Sequence, residues 1–415
     1  MMISISNILL LALAAANGCS AFLHSGINSV AAVRRDAITL LHSSTQAIEP
    51  SSQPRSGIAQ ELLNLALKSP LWTYVMVPQA RASIVKTAES NGIQWMNAKS
   101  WLNEQLSTKD YSDVVYPEYY KQSFHAYQDG NLSYDAAVEQ ELASRAVGAR
   151  NFPKYGERGE DVFRDSFDKA LAGIGARICD NTNEQGKKVI VDFGCGTGTS
   201  TRRMASQYPE VDQLIGIDLS PYFVDVGNTL LNLAPNAIEN GSGWITSITP
   251  DERIELRQGD MANTSLPSYS ASVVNLSLVV HELPTSVAKQ VVSEAYRILQ
   301  PGGQLWISEM DFESTAYKAQ RENALLFSLL RATEPYLDDY ADGCKELREF
   351  IVDTFDSTKI TAATGRHYAL VAEKGLENNG DDVDRVKCLE DYRFREDGSY
   401  AVEDTHLKPW ESKDD

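Results

Sequence analysis

Along the middle of the chain, short continuous apolar runs alternate with stretches whose apolar positions recur every three or four residues. Residues 188–193 (KVIVDF) form one such run and read as a strand buried on both faces. Further runs follow at 214–218 (LIGID), 254–256, 273–279 and 304–308. The intervals carry helical spacing at about 200–207, 222–233 and 285–299, and Pro301-Gly302-Gly303 stops the last of these helices. Strand and helix in strict alternation predict an α/β fold, a doubly wound and mostly parallel sheet. After Asp311 the pattern is helical over about 316–354, and two more strands, 359–362 and 367–372, flank a turn at Thr364-Gly365. The expected sheet thus has seven strands, ends in an antiparallel hairpin, and carries a helical insertion after its fifth strand.

Upstream, helical patterns such as IAQELLNLALK are mixed with Trp72, Trp95 and Trp101. An aromatic patch at 116–127 (YPEYYKQSFHAY) leads through Asp129-Gly130-Asn131 into a helix over about 133–147, and 161–178 is helical again. This divides the chain into a presequence (1–50), an aromatic-rich helical extension (51–180), a core domain (181–374) and an acidic tail (375–415). The tail is dotted with Gly and Asn and is expected to be extended or loosely packed.

Composition narrows the function classes. A net charge of −19 disfavours nucleic acid and anionic membrane surfaces as partners. Cys19, Cys179, Cys195, Cys344 and Cys388 lie far apart, with no C-x-x-C pair, and read as free thiols; no metal site is expected. Residues 3–17 form an apolar run too short to span a membrane, closing on Gly18-Cys19-Ser20-Ala21 like a signal peptide, although no Lys or Arg precedes it. The next stretch is rich in Ser, Ala and Thr with Arg34 and Arg35, as in a transit peptide. The join Ser20-Ala21-Phe22 resembles the Ala-Ser-Ala-Phe motif of bipartite plastid presequences in diatoms and related algae, without its first Ala. Simple secretion or a mitochondrial address is the alternative. Asn131, Asn263 and Asn275 match the glycosylation pattern by chance, since Asn275 falls inside a strand.

The chemistry begins at Asp192-Phe193-Gly194-Cys195-Gly196-Thr197-Gly198, between the first strand and a helix. Glycines let the chain turn sharply and bring a ligand against bare backbone near a helix N-terminus. A nicotinamide fingerprint wants Gly or Ala at Thr199, so a dehydrogenase is disfavoured. Asp218 and Leu219 close the second strand, where a carboxylate accepts both ribose hydroxyls; Asp218 or Ser220 as a plain helix cap is the other reading. Gly259-Asp260-Met261 follows the third strand. In order and spacing these motifs resemble class I S-adenosylmethionine-dependent methyltransferases over about 188–311. The resemblance implies S-adenosylmethionine as cofactor. Asp192 and the backbone of Gly194, Cys195, Gly196 and Gly198 would hold its methionine end, Asp218 with Leu219 its ribose, and Asp260 with Met261 its adenine. Ser277, in 275–284 (NLSLVVHELP), would lie under the methyl group. Cys195 is read as a small loop filler, not a nucleophile.

The acceptor is expected to be a small molecule, with no stable membrane insertion of the mature chain. His281 past the fourth strand, and His125 in the aromatic patch, are candidate bases, with a capping or packing role for His281 equally open. Tyr119 and Tyr127 are candidate walls that steady positive charge, or else plain packing residues. Arg145, Arg150, Arg321 and Arg331 could clamp a carboxylate, or lie on solvated faces. Residues 116–373 also resemble a group of cyanobacterial and plastid methyltransferases with this aromatic patch and the segment 334–338 (EPYLD). With no strong base evident, the first expectation is S-methylation of a thioether acid such as 4-methylthio-2-hydroxybutyrate, on the route to dimethylsulfoniopropionate. A prenylated quinol or phenol, and a non-catalytic cofactor-binding protein, are the alternatives.

Overall fold

The computed structural model describes residues 77–125, 127–233, 250–322, 327, 331, 333–376 and 387–403. The presequence, the helical pattern at 58–68 and Trp72 lie outside them. Among the described residues four α-helices precede the sheet: α1 (Val77–Ser90), α2 (Trp95–Gln105), α3 (Tyr134–Asn151) and α4 (Gly159–Gly173). The core then runs β1 (Val189–Phe193), α5 (Thr199–Gln207), β2 (Gln213–Asp218), α6 (Pro221–Asn232), β3 (Ile254–Gln258), β4 (Ala271–Ser277), α7 (Thr285–Ile298) and β5 (Leu299–Met310). It continues through α8 (Thr315–Glu322), α9 (Leu337–Thr354), β6 (Ser357–Ala362), β7 (His367–Glu373) and β8 (Leu389–Tyr392).

The strands form one sheet in the order β3-β2-β1-β4-β5-β7-β6-β8. β1 to β5 are mutually parallel, and β7 is antiparallel to both β5 and β6, which makes the expected hairpin. Seven strands were expected; the eighth, β8, pairs parallel with β6. The tail is therefore not loose throughout. Its segment LEDY is short, charged and little buried, as an edge strand can be, so it carries no apolar signature. Just beyond it Arg393, 3% exposed at the side chain, meets Asp311 at 3.1 Å and Glu313 at 2.9 Å, and the Tyr400 hydroxyl donates to Asp311.

Alternation along each central strand builds two cores. Val189, Val191, Phe193, Val274, Leu276 and Ile307 face the α7 and α9 side, where Val291, Ile298, Leu347 and Ile351 meet them. Ile190, Val273 and Trp306 face Leu171 of α4 and Met204 of α5. A third cluster joins the extension to the core: Trp95, Leu102 and Leu142 pack against Phe223, Val226 and Leu230 of α6. That contact lays α3 and the aromatic patch across the carboxyl ends of the strands.

Candidate active site

Strand order reverses between β1 and β4, and a doubly wound sheet opens a crevice at such a point, above the carboxyl ends of its strands. The glycine loop lies there. Gly194, Gly196 and Gly198 have φ of 66°, 55° and 83°, the left-handed region that L side chains rarely adopt. A Cβ on Gly194 would stand 2.5 Å from Val279, and one on Gly196 would stand 2.1 Å from the Gln140 amide. Gln140, on α3, also accepts the Thr197 N–H at 2.7 Å, so the extension helps to shape the loop.

Asp192 is buried and accepts from Ser200 (2.6 Å), Thr201 (2.6 Å) and Asn275 (2.8 Å). These bonds pin the loop to α5 and β4. The Asn275 side chain is spent in this bond, and no glycan fits there. Cys195 turns its thiol down towards Val224 and Leu256, and burial pushes that thiol well up. Only its backbone is offered to the crevice.

Asp218, 8% exposed, ends β2 and accepts from Gly196 N (2.9 Å), Ser220 N (2.8 Å) and the Tyr120 hydroxyl (3.2 Å). Burial raises its carboxyl above the usual range, against these donors. The cap of α6 is Ser220, whose hydroxyl accepts from Phe223 N, so Asp218 is not needed for capping. Leu219 and Asp260 line a cleft of about 670 Å³ with Ile217, Arg257 and Tyr116. Met261 does not line it: the side chain packs into the main core. Three left-handed glycines, a buried acid at the end of β2 and a flanking cleft fit an adenosine-bearing cofactor.

Ser277 ends β4 opposite Ser308. Leu278 then adopts φ 56°, an uncommon value for a branched residue, and starts the turn that carries His281. His281 is buried, and its Nδ1 lies 2.8 Å from Oε1 of Glu309 on β5. Glu309 is fully buried and also accepts from the backbone N–H groups of Val280, His281 and Met310. A carboxylate so supplied makes Nδ1 the donor and leaves Nε2 as the free ring nitrogen. Burial alone would lower the His281 pKa, but Glu309 outweighs it and raises it to about 9.

His125 stands beside this pair, with φ 49° and its N–H bonded to Thr333 O. Its Nε2 lies 3.0 Å from Glu334 and 3.6 Å from Glu282. Desolvation, which would lower its pKa, is outweighed by those two carboxylates. Asn131 donates to Glu282 at 3.3 Å. The structure therefore brings His281 and His125 together, with Glu282, Glu309 and Glu334 around them.

The two tyrosines part company. Tyr119 packs on the main core with its hydroxyl buried and near enough to Asp260 to feel its charge, while its neighbour Tyr120 reaches Asp218. Tyr127 is no wall of this site: its hydroxyl bonds Glu139, and the Arg81 guanidinium lies 5.1 Å from its ring centre, within the helical extension. Arg321 pairs with Asp342, Arg331 with Asp338, and Arg145 lies by Glu141 and Asp161. Among the described residues no group of His, Cys, Asp and Glu is arranged to hold a metal ion, and no helix is long and apolar enough to cross a membrane. Gln140, Glu309 and the pairing of Glu334 escaped the sequence reading. For Glu309 a signal existed, a carboxylate within the apolar run of β5.

Comparison with known proteins concerns the core. Residues 191–307 match the family described as "Methyltransferase domain". An arsenite methyltransferase of Halobacterium salinarum is 24% identical over 185 residues, which is 44% of this chain and 42% of that protein. A probable chloroplastic tocopherol O-methyltransferase of Oryza sativa subsp. japonica is 30% identical over 124 residues, 30% of this chain and 29% of that protein. This chain thus spans less than half of the length of either relative. Among solved structures, human N-acetylserotonin methyltransferase in complex with SAM is similar over 68% of this chain and 66% of that one, at 16% identity and a TM-score of 0.37.

Proposed function

We propose that this chain, built on a class I methyltransferase core whose cofactor is S-adenosylmethionine, methylates a hydroxyl oxygen of a small aromatic molecule, a phenol or quinol. The observation that carries the reading is the buried His281, just past the carboxyl end of β4 and held through Nδ1 by the buried Glu309. The cofactor, when bound, supplies a methyl group already activated on a sulfonium sulfur. The chain supplies the rest. The glycine loop and Asp218 hold and orient the adenosyl and methionine ends. His281 Nε2 takes the proton that a hydroxyl must lose, and Glu309 keeps the ring in the productive tautomer and steadies the imidazolium.

A thioether acid, the first expectation, needs no base and brings a carboxylate of its own. Among the described residues the charged side chains paired with His281 and His125 are Glu282, Glu309 and Glu334, and Arg145, Arg321 and Arg331 lie against carboxylates elsewhere. This favours a proton-releasing, uncharged acceptor. A plastid location is proposed from residues 1–50 alone.

The test is methyl transfer from labelled S-adenosylmethionine into a fractionated small-molecule extract, for the wild type and His281→Gln. Labelled phenolic ethers, formed about 10²–10⁴-fold more slowly by the variant, are expected. Label found only in sulfonium products, or an undiminished variant, overturns the reading.

A further inference from the structure

Most carboxylates of the crevice use both oxygens. Asp192, Asp218 and Glu309 each accept several donors, and Glu282 has Asn131 on one oxygen and His125 near the other. Glu334 differs. It precedes α9, is 9% exposed, and gives Oε1 to His125 at 3.0 Å, while its Oε2 is buried with no hydrogen-bond partner. A buried carboxylate oxygen left unpaired is destabilising, and such an atom takes its partner from an ordered water or from a ligand that opens the site. Glu334 also stands near enough to His281 to act on the charge of its ring. Aromatic rings flank the two histidines: Tyr336 packs on Phe124, next to His125, with centroids 6.2 Å apart, and Tyr340 lies 6.4 Å from the His281 ring.

From this we infer that Glu334 is a specificity-determining residue whose free oxygen receives a hydrogen bond from the acceptor, from a hydroxyl or protonated amine next to the oxygen that is methylated. The inference rests on the methyltransferase reading and narrows its substrate class to ortho-donor phenols such as catechols and aminophenols. An ortho ether or an ortho carboxylate puts only acceptors against Glu334 and is refused. His125, carried in by the extension, holds the other oxygen of Glu334 and so keeps the carboxylate turned to this task.

Binding tests the inference without turnover. The full chain is saturated with S-adenosylhomocysteine, and catechol and guaiacol are titrated against it by calorimetry, with Glu334→Gln alongside. Catechol is expected to bind the wild type at least about tenfold more tightly than guaiacol, as a charge-assisted hydrogen bond warrants. The variant should lose that preference while binding S-adenosylhomocysteine as the wild type does. Equal binding of the two probes, no binding of either, or a preference that survives in Glu334→Gln overturns it. Failure of the wild type to bind S-adenosylhomocysteine instead removes the methyltransferase reading, and this inference with it.

Discussion

Nδ1 of His281 lies 2.8 Å from Oε1 of Glu309; His281 follows the end of β4, and Glu309 lies near the end of the adjacent parallel strand β5. The register sets Ser277 of β4 beside Ser308 of β5, so Glu309 is the next residue along. The left-handed turn at Leu278 then folds the chain back over it, and both the backbone and the ring of His281 meet one carboxylate.

This pairing fixes a pH dependence. A base must first be free of its own proton, and a pKa raised to about 9 moves that release upward. The methylation rate should therefore climb through about pH 9, and Glu309→Gln should shift the rise to lower pH while slowing the maximum. A rate profile that is flat from about pH 6 to 9 in the wild type would falsify the base assignment.

The proposed role of Asp218 is to hold the ribose of the cofactor. Asp218→Ala should weaken S-adenosylhomocysteine binding by roughly 1.5–3 kcal/mol, the worth of a hydrogen bond to a charged group. Calorimetry on a variant with an unchanged circular dichroism spectrum gives the answer, and unaltered affinity shows that the ribose lies elsewhere.

At Gly196 the atoms that a side chain would strike belong to Gln140. Gly196→Ala should lower stability by about 1–2 kcal/mol through its φ alone, and by more through the displaced amide. Adding Gln140→Ala should restore the second part only. Urea unfolding of both variants checks this; a double variant no more stable than the single one contradicts the contact.

The tail segment 387–403 belongs to the fold. Arg393→Met leaves Asp311, itself 2% exposed, without its buried cation, a loss of about 3–5 kcal/mol. A change under about 1 kcal/mol in chemical unfolding would mean that the latch is dispensable.

Residues 1–50 fused to a fluorescent protein should enter the plastid of a diatom, and Phe22→Ala should leave the fusion outside. Export to the medium, or import indifferent to Phe22, rules out the bipartite address.

The α/β alternation, the glycine loop and Asp218 at the end of β2 were all legible in the amino-acid order. Each has a local cause: a strand buried on both faces must be continuously apolar, and a left-handed turn must be glycine. Even there the order left Asp218 and Ser220 competing for one cap, and the geometry assigned it to Ser220. Met261 and Tyr127 show the limit from the other side, since a motif position and an aromatic type do not say which way a side chain turns. The pairs that build the candidate site, His281 with Glu309, His125 with Glu334, Tyr120 with Asp218 and Gln140 with Thr197, join segments far apart in the chain. No local periodicity records which buried carboxylate a histidine will meet. That follows from strand order, register and the seating of α3 on α6, and only the folded chain decides it.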